Sequence, residues 1–488
     1  MYKFVMEPFK HQYSGISLYR GNTRYGFFDE QGCGKSKVVV DASNLLFLDK
    51  SINAIIIICP NTVKSTWANP EWGQIAIHTP KEFRTRIHQI DLSRRLPHID
   101  DLVKQGKRPS SNDGPLWIVV NYEAVRQDFF EQWLAKFMTG AAPVALVLDE
   151  STRIKNPRAQ QTKAILRLGK YASRKYILTG TPMAKNPLDI YSQMNFLDPS
   201  ILQCPSFVAF RSQFAIMGGY CVGGKPVQVV GWKNLDRLQE KIAHCSRVVR
   251  KKDVLPDLPD KLYTKIELPL SAEQAEAYRS MKAYAIAQFP ESLTKSVAPI
   301  AITKILRLTQ ITSGFLGATD NDYSIAKAYP SNPKQDFIID LLEGTEHVVV
   351  FGIFKFELEA LYKRLEQEGI SCAMIHGEVK NKEREQHIQD FQQGNIRVLI
   401  CQVVTGGIGI TLTKAHTAVY ISNPYSYESR AQSEDRLHRP GQHNNVTYYD
   451  LLATCDGKPT IDHTVLEVLK EKKDLSDVLL GRSINEIL

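Results

Sequence analysis

The chain has 488 residues, 43% hydrophobic and 23% charged. That is the composition of an ordinary globular protein long enough for two or three domains, each with its own core. The formal net charge of +9 suits a polyanionic partner and equally a solvated basic surface. The eight cysteines are dispersed, with no CxxC pair and no His at zinc spacing. They read as free thiols of a reducing compartment, and no structural zinc is expected. The N-terminus Met1-Tyr2-Lys3-Phe4 lacks an apolar signal core, and the longest aliphatic run, 54–58, is a strand length. A soluble protein with no membrane contact is expected.

A helical pattern opens after Pro8-Phe9-Lys10-His11-Gln12. Gln12 can hydrogen-bond an adenine edge with its amide; a Gln on a surface helix is the plain alternative. Next comes Asp29-Glu30-Gln31-Gly32-Cys33-Gly34-Lys35-Ser36, running into Val38-Val39-Val40. Backbone amides of Gly32, Cys33 and Gly34 can close around the phosphates of a nucleotide such as ATP, helped by the positive end of the following helix. Lys35 would reach the β- and γ-phosphates and the Ser36 hydroxyl would sit on Mg²⁺. Asp29 stands where a full Walker A loop has Gly, so a plain strand-to-helix loop remains the other reading.

Short apolar runs closed by polar residues follow at 54–59, 116–120, 144–148 and 176–178, with helical patterns between. That alternation predicts a parallel α/β sheet whose ligands bind beyond the strand carboxyl ends. The third run ends in Asp149-Glu150. Downstream of a phosphate loop this pair suits metal and water chemistry, Asp149 holding Mg²⁺ and Glu150 polarising the attacking water.

Residues 201–333 read as a mainly helical insertion, with helices at 235–242, 272–287 and 300–311. A glycine-rich hairpin is predicted from 218–224 and 227–230. The basic run Arg247-Val248-Val249-Arg250-Lys251-Lys252 and the Pro-rich stretch after it mark a hinge. A second α/β pattern occupies 334–488, with strands at 347–351, 373–375, 398–401, 418–421 and 447–451. A helix over 356–369 ends at a capping glycine. The loop Thr405-Gly406-Gly407-Ile408-Gly409 can approach a phosphate or a nucleic-acid backbone. Beyond it Arg436 and Arg439, three apart, would project from one face of a helix. Two guanidiniums so aimed suit a γ-phosphate held by residues some 400 positions earlier, or else form a basic surface turn.

Taken in order, these stretches resemble the Swi/Snf-type members of helicase superfamily two, the DEAD/DEAH-box-like motors, from Pro8 to about Lys472. Asp29–Ser36 resembles the family's Asp-Glu-x-Gly-x-Gly-Lys-Ser/Thr. Ile58-Cys59-Pro60 with Trp67 and Trp72 resembles its first DNA-contacting motif, and Val120-Asn121-Tyr122-Glu123 the next. Asp149-Glu150 continuing to Arg153-Ile154-Lys155-Asn156 fits, as do Leu178-Thr179-Gly180-Thr181-Pro182 and Asp435-Arg436-x-x-Arg439-x-Gly441-Gln442. Three departures stand out: Ser151-Thr152 after the acid pair in place of Ala/Ser-His, Ala184-Lys185 in place of Gln-Asn, and Asn423 with Tyr425 before the last motif.

The resemblance implies two RecA-like parallel-sheet lobes, at 1–200 and 334–488, flanking the helical insertion. It implies an ATP-driven translocase that grips double-stranded DNA with little sequence specificity. Lobe one would hold ATP through Gln12, Lys35, Ser36 and Asp149; Gly409, Arg436 and Arg439 would complete the site from lobe two. Lys64, Trp67, Tyr122, Arg153 and Thr405 would grip DNA, and Thr179, Thr181 and Gln432 would couple the two. No chromatin-reading, zinc or nuclease module is seen, as in the bare motors of phages and bacteria, so a cytoplasmic setting is expected ahead of a nuclear one. Two other functions are consistent with the same residues. One is a strand-separating helicase on forked DNA or RNA; the other is a nucleotide-gated DNA clamp with little turnover. Neither protein partners nor the oligomeric state can be read.

Overall fold

The computed structural model describes residues 2–93, 95–107, 113–183, 186–222, 225–287, 297–317, 325–403 and 411–479. The chain divides into two compact units, Met1–Leu255 with Asp474–Leu488, and Pro256–Lys473. The segment 201–333 is therefore shared, its first part packing with the first unit and its remainder with the second.

The first unit holds β1 (Arg24–Phe27), β2 (Ala54–Cys59), β3 (Arg84–Gln89), β4 (Asp113–Asn121), β5 (Val144–Asp149) and β6 (Arg174–Leu178). It also holds the hairpin strands β7 (Ala215–Val222) and β8 (Lys225–Trp232), and β9 (Ser246–Arg247). Seven of these form one sheet in the order β3-β4-β2-β5-β6-β1-β9, every pair parallel. Alternate residues face opposite sides, as strand geometry requires. Ile56, Ile58, Val120 and Leu148 enter one apolar cluster, while Ile55, Ile57, Val119 and Val147 enter the other. Burial on both faces is why these strands read as unbroken apolar runs. The hairpin pairs antiparallel, with Met217 opposite Val229; Gly223 and Gly224 lie outside the described residues.

The second unit contains β10 (Lys261–Pro269), β11 (Phe315–Gly317), β12 (Ile325–Ala328), β13 (Val348–Gly352), β14 (Cys372–Ile375), β15 (Val398–Gln402), β16 (Thr417–Tyr420), β17 (Val446–Cys455) and β18 (Lys458–Pro459). Its main sheet runs β10-β17-β16-β13-β15-β14, with β18 added to β17. All its pairs are parallel except that short one. Two parallel-sheet lobes flanked by helices are thus present.

The expected helices appear at Leu235–Ala243, Ala272–Ala287, Val297–Thr312 and Lys355–Gln367. The last closes as the capping glycine suggested. Gly369 takes φ +70°, its N–H bonds to the Glu366 carbonyl (3.0 Å), and the Ile370 N–H bonds to that of Leu365 (2.9 Å). This paired closure needs the left-handed residue that glycine provides without strain. Among the described residues, no helix is long and apolar enough to cross a membrane.

Candidate functional site

In the first sheet β5, β6 and β1 are neighbours. Their carboxyl ends therefore set Asp149-Glu150, Thr179 and the loop from Asp29 side by side, where a parallel sheet binds ligands. β1 feeds the loop, and α2 (Lys35–Leu48) follows it. Gly34 caps α2 with φ +82°, and a Cβ there would come 2.2 Å from the Gln12 amide nitrogen. Glycine is required twice over, by backbone angle and by the approach of Gln12.

Gln12 itself lies on α1 (Lys10–Gly21). Its oxygen accepts from the Phe9 N–H (3.0 Å) and its nitrogen donates to the Cys33 carbonyl (3.4 Å). His11 Nε2 lies 2.9 Å from that same carbonyl, so α1 is fastened to the loop. Lys35 Nζ donates to the carbonyls of Asp29 (2.6 Å) and Glu30 (3.1 Å), which directs its charge into the loop. Ser36 is the second residue of α2, in the first turn whose amides have no intrahelical acceptor. Burial pushes the Cys33 thiol up to about 12, so the cysteine serves through its backbone and not as a nucleophile.

The acid pair is held from several sides. Asp149 Oδ2 accepts from Trp67 Nε1 (2.7 Å), and Oδ1 accepts from the Glu150 N–H (3.1 Å). The Tyr122 hydroxyl donates to the Asp149 carbonyl oxygen (2.9 Å). Burial raises the Asp149 pKa, with the Trp67 bond and the Lys35 charge acting against it. Glu150 sits at φ +52°, a left-handed angle that a non-glycine residue rarely adopts and that clusters at functional sites. Its two oxygens accept from Gln31 Nε2 (3.3 Å) and Thr179 Oγ1 (3.4 Å), joining the phosphate loop to the turn after β6. Thr179 Oγ1 also receives the Thr181 N–H (3.1 Å). Ser151 and Thr152 are buried, Ser151 donating to Gln193 (2.7 Å).

Lys35, Ser36, Asp149, Glu150, Gln12 and Thr179 thus come together as a group. Three residues expected to grip nucleic acid lie in the interior instead. Trp67 and Tyr122 are 1% and 0% exposed, with their polar atoms spent on Asp149. Lys64 is 6% exposed and donates to the Ile90 carbonyl (3.3 Å). Arg153, in contrast, is exposed. Thr405 and Gly409 lie outside the described residues, as do Ala184 and Lys185.

In the second unit the helix Tyr427–Glu434 carries Gln432, half-buried. Arg436 and Arg439 do not share that helix but follow it in a turn, a correction to the helical placement. Pro440 cannot continue a helix and restricts the residue before it, and Gly441 adopts φ +97°. Arg436 is buried, and its carbonyl receives the Leu412 N–H (2.9 Å). Arg439 is half-buried and donates to the Asp435 carbonyl (2.7 Å) and to Thr411 Oγ1 (3.4 Å).

Beneath this turn lies an ion network that the sequence reading missed. Arg430 meets Glu434 (2.8 Å) and Asp450, donates to Asn423, and stacks 3.5 Å from the Tyr420 ring centroid. Asn423 in turn donates to Asp450 (3.0 Å), so Asp450 supplies the carboxylate beside the Asn423 substitution. Lys261 reaches Glu434 (3.1 Å) and Asp435 (3.2 Å). Burial of Glu434 opposes its charge, but Lys261 and Arg430 outweigh it and hold the carboxyl down to about 2.

The SNF2-related domain pattern matches residues 16–313, well over half of the chain, and the helicase conserved C-terminal domain matches 333–441. An uncharacterized ATP-dependent helicase of Mycoplasma genitalium is 25% identical over 98% of this chain and 42% of its own length. A Caenorhabditis elegans homolog of the SWI/SNF-related matrix-associated actin-dependent regulator of chromatin subfamily A-like protein 1 is 24% identical over 96% of this chain and 62% of its own. The chain thus spans less than two thirds of either relative. The Sulfolobus solfataricus SWI2/SNF2 ATPase core in complex with double-stranded DNA is 20% identical, covering 100% of this chain and 97% of that one with a TM-score of 0.43. The chain belongs to the SNF2-related family, with a helicase C-terminal domain following.

Proposed function

We propose that the protein is a DNA-stimulated ATPase that couples ATP hydrolysis to movement along double-stranded DNA. The observation that carries this reading is the grouping of Lys35, beyond the end of β1, with Asp149 and Glu150 at the end of β5, two strands flanking β6, with Glu150 in a strained backbone conformation bonded to Gln31 of the loop. Lys35 and the loop amides bind the triphosphate. Ser36 and Asp149 offer the hard oxygen donors that suit Mg²⁺, which neutralises phosphate charge when bound. Glu150 orients the attacking water, and Thr179 fixes the carboxylate in turn. Arg436 and Arg439 of the second unit supply guanidinium charge in the transition state, Arg439 being the more exposed of the two.

The grips on DNA need revision alongside this. Arg153 and Thr405 are the contacts retained. Trp67 and Tyr122 are assigned instead to holding Asp149, so that the segment expected to meet DNA is also the one that positions the metal-binding acid. The test is steady-state ATPase titrated in parallel with double-stranded DNA, single-stranded DNA and RNA. Stimulation by the duplex above the other two is expected; equal rates without any nucleic acid would overturn the reading.

A further inference from the structure

The basic segment after the hairpin does more than connect the two units. β9 lies parallel to β1 with Phe27 opposite Arg247, and the pairing continues past the strand into the phosphate loop. The Gly26, Phe28 and Glu30 amides donate to the carbonyls of Cys245 (2.8 Å), Arg247 (2.9 Å) and Val249 (2.8 Å). The Lys251 amide returns a bond to Glu30 Oε2 (2.9 Å). The Arg247 guanidinium pairs with Asp29, the fully buried first residue of the loop. It also donates to the His11 carbonyl on α1 (2.8 Å) and lies 5.1 Å from the Phe27 ring centroid. α1 makes room for it at Gly15, where a Cβ would stand 2.7 Å from the guanidinium nitrogens. One side chain thereby ties the helix carrying Gln12 to the loop carrying Lys35.

Eight residues beyond Lys251 the same segment is fastened again, within the second unit. The Pro259 carbonyl lies 2.6 Å from His438 Nε2, and the Asp260 carbonyl receives the Val446 N–H (2.9 Å). Lys261 and Tyr263 both reach Glu434, the hydroxyl at 2.8 Å. These contacts hold the end of the helix from which the turn of Arg436 and Arg439 departs.

We propose that residues 245–263 form a strap tied at each end to one half of the nucleotide machinery, with Arg247 a positioning residue for the phosphate loop and Lys261 one for the arginine turn. This rests on the ATPase reading above. Arg247 meets the His11 carbonyl through one terminal nitrogen and Asp29 through the other, a planar two-point spacing that the single nitrogen of a lysine does not reproduce. The loop's geometry then depends on a segment that leads directly out of the first unit at Leu255.

The test compares Arg247→Lys, Gly15→Ala and Lys261→Met in the full chain. It reads affinity for a fluorescent ADP analogue, ATP turnover, and hydrogen exchange at the Glu30 and Lys251 amides. Gly15→Ala keeps both charges and displaces the guanidinium by volume alone, so it serves where Arg247→Lys fails to fold. Arg247→Lys and Gly15→Ala should weaken ADP binding about tenfold, the scale of one charged hydrogen bond, and speed exchange at both amides. Lys261→Met should leave ADP affinity within about twofold and cut turnover about tenfold. Wild-type ADP affinity and exchange in the first two variants, or wild-type turnover in the third, would overturn the strap. A wild-type protein that binds ADP without hydrolysing ATP would remove the ATPase reading, while the affinity and exchange measurements would still judge Arg247.

Discussion

The two units support their functional residues by different means. In the first, a glycine-permitted backbone turn and one buried ion pair, Arg247 with Asp29, set the phosphate loop, while Asp149 and Glu150 receive single hydrogen bonds from Trp67, Gln31 and Thr179. In the second, Arg436 and Arg439 sit in a turn whose preceding helix is pinned by Arg430, Asp450, Glu434 and Lys261. A phosphate site needs open amides and a movable lysine. A guanidinium presented from a turn instead needs a rigid base, and a satisfied buried ion network provides one although its net stabilisation is small.

The sharpest way to break this contrast is at Glu150. Glu150→Gln should retain nucleotide binding and lose about 10²- to 10⁴-fold in turnover, the span of a positioned general base. Wild-type turnover would remove the water-orienting role. Acid titration separates the second unit's network. The Glu434 carboxyl, with an ordinary value of 4.5, is held at about 2 when folded. Its contribution is therefore present above pH 4.5 and lost as pH falls from there toward 2. Glu434→Gln should flatten the loss of the second unit's stability over that window, followed by circular dichroism in denaturant.

Trp67→Phe probes the first unit's lighter support. It strips a donor from Asp149 and should cost about 1–3 kcal/mol in stability, together with a raised Mg²⁺ requirement for turnover. If neither changed, the indole would be packing alone. The smallest effect belongs to Arg153, whose substitution should lower the salt slope of DNA binding by about one unit for one lost phosphate contact. An unchanged slope would return it to the solvated surface.

The sequence made the central sheet strands legible because parallel strands buried on both faces read as apolar runs. β2, with its run of four isoleucines, and β5 are the clearest. β3 and β10 escaped notice because they are edge strands. Arg84–Gln89 is largely polar, and Lys261–Pro269 alternates between half-buried and exposed positions. β1 and β9, of four and two residues, carry too little pattern to find. The phosphate loop and acid pair could be read because each is a local motif. The Arg247–Asp29 pair, 218 residues apart, and the Arg430–Asp450 pair could not, since both depend on contacts that only folding creates. The interior placement of Trp67 and Tyr122 illustrates the same limit. A motif names its residues, but whether a ring faces solvent or an aspartate is a matter of packing.

The most direct test of the proposed roles compares nucleotide affinity with DNA-stimulated turnover in Lys35→Ala and Arg439→Ala. Lys35→Ala should lose both, because phosphate binding belongs to the first unit. Arg439→Ala should bind nucleotide within a few-fold of wild type yet turn over about 10³-fold more slowly, toward the lower end of the range for an arginine acting in the transition state. Full stimulated turnover in Arg439→Ala, accompanied by weakened DNA binding, would contradict these roles and make the turn a nucleic-acid grip.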